Sequence, residues 1–450
     1  MAMRRAAKAA EQAVPQVLRC VTSSGARAAG GAVPMVDEMI AMVRSAEMRG
    51  QPAAGMDILR SGLSMPQVKQ SVIDAGRITV AMAEVASDSG DDGAAATLAE
   101  DALAQLAKGG GWSFELALQA THVGTLSLLR QGKDEAAQQL AQAACERAPT
   151  PKSGSDLDAV RRTGLSAAKR FLAHTRLCCG DFDGAGKAAD EAEEMDRGLG
   201  SISGADADTR LLCPAALLRA GTVLGVLERG DDAKRMLQCA GDLATVGARG
   251  ADSPGGVNDA RAAVLNHPVA LQLVSADAHA QLAQAQLRAR AWSDAEKSLE
   301  SALSAAEALP KGTVHDVAVG TVLMLTASAY VNTARFAMAE GLFVEAGKMI
   351  GVPLLDFMSL DANTATARAK CHGTTVAHLL WRFGEMVNMV ENRRHQGKKL
   401  QGVAADVWKK HAATHNDPGA VLGNLKDGTG AAHVINLSIG RVLFRPRRSE

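Results

Sequence analysis

Apolar and small residues recur along most of the chain at steps of three and four, the spacing that places them on one face of an α-helix. They come in pairs of segments separated by a short turn that contains Gly or a polar residue. In the clearest pair, Ala173 lies in the first segment, Gly180 marks the turn, and Ala185 and Ala192 lie in the second. Because Gly readily ends a helix in a left-handed cap, this pattern predicts two antiparallel helices over residues 171–192.

The same paired pattern occurs seven times, clearly in five segments and weakly in two. Small residues allow two helix backbones to approach closely, and the aliphatic residues beside them fill the remaining space. One such pair cannot bury its apolar face alone, so we expect successive pairs to stack on one another. The small residues that we assign to the start of each second helix are Gly55, Ala95, Ala136, Ala185, Ala233, Ala295 and Ala339.

This pattern resembles the tetratricopeptide-repeat (TPR) family. That family has a small residue in its first helix, an Ala early in its second helix and another Ala seven residues later. Ala173, Ala185 and Ala192 match these three positions. The resemblance covers roughly residues 36–350. It implies an α-solenoid whose surface serves for contact with other molecules.

The copies are spaced more widely than the TPR period of about 34 residues. The steps run from 40 residues, between Gly55 and Ala95, to 62 residues, between Ala233 and Ala295. Loop-type insertions explain the surplus, and they either carry contacts or are simply tolerated. These insertions are residues 149–155, 198–204 and 247–256.

We therefore predict an all-α fold, a TPR-like α-solenoid of about seven helical hairpins over residues 36–350. Residues 351–416 are predicted to form a C-terminal helical cap, because a solenoid needs its last exposed face covered to remain soluble. Residues 417–450 are predicted to form an extended basic tail with one strand-like segment, since apolar and polar residues alternate within residues 433–444.

The strand-like segment has no second strand in the sequence that we can identify. We therefore expect it to add to the sheet edge of another subunit, or to lie along the surface of that subunit. The alternative is an unattached tail. The apolar residues expected to bind the partner are Ile435, Leu437 and Ile439, and the arginines expected to anchor the tail are Arg441, Arg445, Arg447 and Arg448.

A basic run between residues 393 and 410 holds six positive charges against Asp406 alone. Such a run is usually the solvated face of a helix. It is also suited to docking onto an acidic protein, RNA or anionic lipid. The candidate partner-binding residues in this run are Arg393, Arg394, Lys398, Lys399, Lys409 and Lys410.

Composition narrows the classes of function. The chain has 450 residues, with 49 basic and 49 acidic side chains, and this zero net charge argues against a dedicated nucleic-acid binder. An aromatic content of 3% argues against base stacking or an aromatic cofactor pocket. The longest apolar stretch, residues 317–331, is too short to span a bilayer and predicts a buried helix. We therefore predict no transmembrane segment, and peripheral membrane contact remains open.

The residue types that carry catalysis or bind metals do not form a site in the sequence. Seven cysteines, an odd number with no Cys-x-x-Cys pair, indicate a reducing compartment with buried thiols. Cys178 and Cys179 would point about 100° apart on a helix. His411 and His415 have the spacing of a metal site, but no third ligand is evident. We therefore predict that the protein is not an enzyme and has no catalytic residue, cofactor or metal.

The first 35 residues carry five basic residues against one acidic residue, among many Ala, Ser and Thr. This composition is typical of an organellar transit peptide. The alternative is the basic N-terminal extension of a cytosolic protein. We expect a mitochondrial location on the matrix side, with a plastid or the cytoplasm as alternatives.

These observations together favour a non-catalytic scaffold. We expect an accessory subunit of a large organellar assembly, such as an ATP synthase, a respiratory complex or a ribosome, whose partners are the other protein subunits. One alternative is an organellar RNA-binding helical-repeat factor, which would bind RNA. The other is a cytosolic TPR adaptor.

Overall fold

Paired antiparallel helices make up most of the computed structural model. It describes residues 34–108, 113–148, 156–197, 214–250, 267–356, 359–412, 418–423 and 433–445. The chain divides into two compact units, residues 1–123 and 124–450. The predicted transit segment over residues 1–35, apart from its last two residues, lies outside the described residues, as do the insertions 149–155 and 198–204.

One helix begins in the first unit and ends in the second, and each of the others lies within one unit. The first unit contains α1 (Pro34–Met48), α2 (Pro52–Ser64), α3 (Pro66–Gln70), α4 (Val72–Asp88), α5 (Asp92–Leu106) and the start of α6 (Ser113–Arg130). The second unit continues with α7 (Asp134–Arg147), α8 (Asp156–Cys178), α9 (Phe182–Arg197), α10 (Pro214–Val226), α11 (Gly230–Gly250), α12 (Pro268–Arg288), α13 (Trp292–Glu307), α14 (Thr313–Asn332), α15 (Phe336–Ile350), α16 (Ala362–Ala367), α17 (Gly373–Asn388), α18 (Arg394–His411) and α19 (Pro418–Leu422). Two strands follow, β1 (His433–Asn436) and β2 (Arg441–Phe444).

Seven of the helix pairs turn by the same three-residue link, whose middle residue is left-handed. In the link between α8 and α9, the Gly180 N–H donates to the Leu177 carbonyl at 3.0 Å. The Asp181 N–H donates to the Arg176 carbonyl at 2.9 Å. This pairing satisfies carbonyls that the end of a helix would otherwise leave without partners. The left-handed residues are Gly50, Gly90, Gly132, Gly180, Glu228, Arg290 and Ala334.

A small residue lies five positions after each left-handed residue and packs where the two helices cross. A Cβ atom on Gly55 would lie 3.2 Å from the Val43 side chain of the preceding helix. In the pair α6/α7 the small residue is Ala137, which is fully buried, whereas Ala136 is exposed. Our assignment of Ala136 was therefore wrong by one residue. Two adjacent alanines fit the pattern equally well, and the position of the turn at Gly132 decides between them.

The predicted all-α solenoid of helical hairpins is confirmed, since all seven predicted pairs form. An eighth pair, α17 and α18, covers α15, where the rings of Phe343 and Phe383 lie 5.7 Å apart. The backbones of α17 and α18 approach closely at Gly384 and Gly397. A Cβ atom on Gly397 would lie 2.5 Å from the Gly384 carbonyl oxygen. This close approach requires glycine.

The apolar stretch 317–331 lies in α14. Among the described residues, α14 is the one helix that is long and apolar enough to cross a membrane by length and composition. Its most apolar window is 72% buried inside the protein. This burial agrees with the predicted core helix.

The strand-like segment is not a lone strand. β1 pairs with β2 in an antiparallel hairpin in which Ile435 lies opposite Val442. The Asn436 side chain closes the turn by accepting a hydrogen bond from the Ile439 N–H at 3.1 Å. Our prediction that the chain provides no partner strand was therefore wrong. The alternation over residues 433–444 indicated one strand, whereas a turn that ends at the left-handed Gly440 divides this segment into two.

The left-handed links allow a direct test of backbone strain. Ala334→Gly should raise the free energy of unfolding by about 1 kcal/mol, because a left-handed conformation costs a residue with a Cβ atom about that much. Gly180→Ala should lower it by a similar amount, since a methyl group there would contact no described atom outside the turn within 4 Å. Urea unfolding of the two variants measures both changes. Equal shifts in the same direction would contradict this account.

Candidate functional site

The β-hairpin is buried among helices of the second unit. Its hydrogen bonds come from α6, α7, α10, α12 and α17 and from His372 just before α17, and all of these helices but α7 are the first helices of their pairs. At its end, Phe444 contacts Trp408 of α18 and Arg445 lies near Asp183 of α9. We call the faces of α6, α7, α10, α12 and α17 that contact residues 433–445 the hairpin groove. The hairpin residues Val434, Ile435, Leu437, Ile439, Val442 and Leu443 are between 1% and 4% exposed. The segment is therefore held as tightly as a core element.

One face of α12 binds the main chain of the hairpin. Gln284 accepts a hydrogen bond from the Ile435 N–H at 2.8 Å and donates one to the Ile435 carbonyl at 3.2 Å. Asp277 accepts from the N–H groups of Leu437 and Ser438 at 3.0 and 2.9 Å. Arg288 donates to the His433 carbonyl. These three side chains lie at steps of seven and four on one helix face, so they meet successive residues of an extended segment.

α17 and its N-terminal approach bind the second strand and the turn. The Thr374 hydroxyl accepts from the Val442 N–H at 3.1 Å. The Thr375 hydroxyl donates to the Gly440 carbonyl at 2.8 Å. The His372 N–H donates to the same carbonyl at 3.1 Å. The turn is thus held from a second helix.

Charged side chains hold the hairpin at the α6/α7 turn. Arg130 donates to the Ser438 carbonyl at 2.7 Å. The Arg441 guanidinium lies 2.7 and 2.8 Å from the two carboxylate oxygens of Asp134. The Arg441 and Asp134 side chains are 7% and 17% exposed, so the pair is largely shielded from solvent.

Burial sets the electrostatics of the groove. It raises the pKa of Asp277 above its ordinary value of 3.8, although Ser438, Gln281 and Leu437 all donate hydrogen bonds to this carboxylate. Burial also lowers the pKa of His174, and the Arg219 and Arg441 charges lower it further. His372 has its pKa lowered to about 3, mainly by burial. Both imidazoles are therefore neutral at physiological pH.

The apolar residues predicted to bind a partner face the interior of the chain. Ile435, Leu437 and Ile439 are at most 3% exposed, and Arg441 pairs with Asp134. Assigning these four residues to a surface for another subunit was wrong, because β2 and the groove already cover them. Arg445 is partly exposed, 4.0 Å from Asp183. Arg447 and Arg448 lie outside the described residues.

The predicted basic run lies on the exposed face of α18 and in the turn before it. Arg393 donates to Glu340 of α15 at 2.7 Å, so its charge is used inside the chain. Lys410 lies 3.2 Å from the Asn363 side chain oxygen. The opposite face of α18 packs inward through Leu400 and Trp408. The exposed residues of the run are Arg394, Lys398, Lys399, Lys409 and Lys410.

The described cysteines are free thiols held in a protonated state. Burial raises the pKa of Cys178 and Cys371 to about 12, and that of Cys145 and Cys179 to about 11. A thiol must lose its proton to become nucleophilic, so these cysteines have low reactivity at neutral pH. His415, predicted to share a helix face with His411, lies outside the described residues.

Comparison with solved structures gives distant similarities. No protein-family model matches the chain, and no curated protein sequence matches it. BtubC (BKLC) from P. vanneervenii is 14% identical over 64% of this chain and 92% of its own, with a TM-score of 0.37. A Rap protein complexed with Competence and Sporulation Factor is 11% identical over 83% of this chain and 97% of its own, with a TM-score of 0.45. A circular tandem repeat protein is 11% identical over 84% of this chain and 88% of its own, with a TM-score of 0.23. The assignment of a helical-repeat fold therefore depends on the helices observed in this chain and not on these similarities.

The buried pair at the hairpin gives a prediction of local stability. Arg441→Met should weaken protection of the Val442 and Leu443 amides by about 3 kcal/mol, because it leaves the Asp134 carboxylate buried without its cation. Hydrogen exchange measures this protection. Adding Asp134→Ala should restore part of the loss, since both charges are then absent.

Arg445→Met is the matched control for that experiment. Arg445 is 35% exposed and its partner Asp183 is 85% exposed, so the loss should be less than about 1 kcal/mol. If the Arg441 and Arg445 variants lose equal protection, the buried pair does not hold the hairpin.

Asp277 gives a prediction of pH dependence. Because its pKa is raised in the folded protein, the stability linked to this carboxyl is present below 3.8 and is lost as the pH rises through the folded-state pKa. Asp277→Asn cannot ionise. The free energy of unfolding of the wild type, relative to this variant, should therefore fall as the pH rises from about 4. Asp101→Asn, on an exposed surface, controls for the loss of one carboxylate, and a pH-independent difference would refute the assignment.

Proposed function

We propose that the protein is a helical-repeat scaffold that binds protein segments. The hairpin groove is the observation that supports this most directly. Asp277, Gln284 and Thr374, on two different first helices, converge on the main chain of one β-hairpin. Proteins that bind an extended peptide likewise obtain affinity from hydrogen bonds to the main chain of that peptide.

We propose further that this scaffold is a non-catalytic accessory subunit of a large organellar assembly. A mitochondrial ATP synthase, respiratory complex or ribosome is the proposed setting. The basic composition of residues 1–35 supports import into the matrix. The exposed cations on α18 provide a surface on which another subunit or an anionic lipid surface can dock.

A second function, RNA binding, is favoured by that same basic face. Lys398, Lys399, Lys409 and Lys410 are exposed along α18. Lysines on one helix face neutralise phosphates without reading a sequence, and such binding weakens steeply with salt. A cytosolic adaptor role is the corresponding proposal if the N-terminal residues do not direct import.

Affinity isolation from native organelles tests the scaffold. The tagged full-length chain should be recovered from mitochondria together with a defined set of subunits in fixed ratio. The quadruple variant Lys398→Glu, Lys399→Glu, Lys409→Glu, Lys410→Glu should lose partners that dock on α18. Mass spectrometry of the recovered material measures both results.

The same preparation separates the alternatives. Recovery of the protein alone would count against a scaffold role. Recovery of RNA that leaves the protein at higher salt and is absent with the quadruple variant would favour the RNA-binding function.

A further inference from the structure

The hairpin is joined to the rest of the second unit by many hydrogen bonds. A protein–protein interface typically has about ten direct hydrogen bonds. The contacts of Asp134, Asp277, Gln284 and Thr374, together with those of the neighbouring side chains, already reach that number. We propose that the hairpin groove is a receptor for a β-hairpin of a partner protein, and that residues 433–445 are its built-in occupant. This inference rests on the proposed function of binding other proteins.

The groove binds features that every peptide presents. Gln284 binds both the N–H and the carbonyl of Ile435, and Asp277 binds two successive N–H groups. These contacts depend on the path of the backbone and not on side-chain identity. A segment of another chain that follows the same path would make the same hydrogen bonds.

Other contacts set the sequence of the segment that fits. The Ser438 hydroxyl donates to Asp277 at 2.6 Å, and Arg441 pairs with Asp134. Asn436 donates to Thr222 at 3.4 Å. Gly440 is left-handed, and a Cβ atom there would lie 3.2 Å from the Cβ atom of Cys371. The fitting segment therefore alternates apolar residues with Asn and Ser, then has Gly followed by Arg.

The hairpin is not a member of any helical pair. Residues 433–445 come after every helix that they contact, and in pairs such as α10/α11 and α12/α13 the two helices pack on each other. Buried ion pairs also add little to the stability of a fold, because apolar residues of similar size in the same place stabilise it as well or better. Asp277 and the Arg441–Asp134 pair instead provide specificity.

The built-in hairpin competes strongly with any segment in solution. A tethered segment acts at an effective concentration on the order of millimolar. A free peptide therefore meets an occupied groove in the wild-type chain. A test must weaken the internal hairpin while it leaves a groove that the probe fits.

Charge reversal meets this condition. In the full-length Asp134→Arg chain, the groove repels its own Arg441. The probe is a fluorescein-labelled peptide of residues 431–447 that carries Arg441→Asp. Fluorescence anisotropy should show saturable one-to-one binding, at least tenfold tighter than binding of the unsubstituted peptide to the same chain.

The matched control has the same groove and a repaired hairpin. In the chain with both Asp134→Arg and Arg441→Asp, the internal pair is restored, so the labelled peptide should bind at least tenfold more weakly. A second chain, Arg441→Glu, leaves the groove native and should bind the unsubstituted peptide. It covers the case in which Asp134→Arg disturbs the start of α7.

The inference fails if neither weakened chain binds its matched peptide while circular dichroism shows folded helices. Dimers formed without peptide would also overturn it, since a second copy would then fill the groove. This experiment is independent of the affinity isolation. If the protein is isolated alone but binds the peptide, the assembly is refuted and the receptor is kept. If the protein is isolated with other subunits but does not bind the peptide, only the receptor is refuted.

Discussion

The structure of the second unit depends on satisfying the main chain of a buried two-stranded hairpin. A hairpin of two short strands is marginal in water, and each buried N–H or carbonyl without a partner costs about 1–3 kcal/mol. Asp277, Gln284 and Thr374 provide those partners from two separate first helices. The same contacts that satisfy the hairpin therefore link helices that are distant in sequence. Burying Asp277 for this purpose explains why its pKa is raised rather than lowered.

The helical pairs were predictable because their signals are local. Apolar spacing identifies the helices, and Gly at four of the seven links marks where they end. The other three links have Glu228, Arg290 and Ala334 in the same left-handed conformation. Sequence preference does not reveal these residues, because they adopt that conformation only when the adjacent helices fix it. The choice between Ala136 and Ala137 failed for a related reason, since it depends on where the turn lies.

The groove was not predictable because it is formed by residues far apart in the chain. Asp277, Gln281, Gln284 and Arg288 follow helix spacing, and a polar stripe of this kind normally indicates a solvated face. Only the arrival of residues 433–445 makes it an interior surface. Arg441 was misassigned by the same logic, because a cation near the end of a basic segment indicates an external partner until its internal partner, Asp134, is known.

The basic residues singled out in the sequence divide into two groups with different consequences. Arg441 and Arg393 pair with Asp134 and Glu340, so their charges hold elements of this chain together. The exposed lysines of α18 present their charge outward from a helix whose other face is anchored by Trp408. A partner that binds α18 would therefore contact exposed charges. A segment that binds in the hairpin groove would contact charges that are shielded from solvent. The two surfaces would respond differently to ionic strength, because screening acts on exposed charges far more than on buried ones.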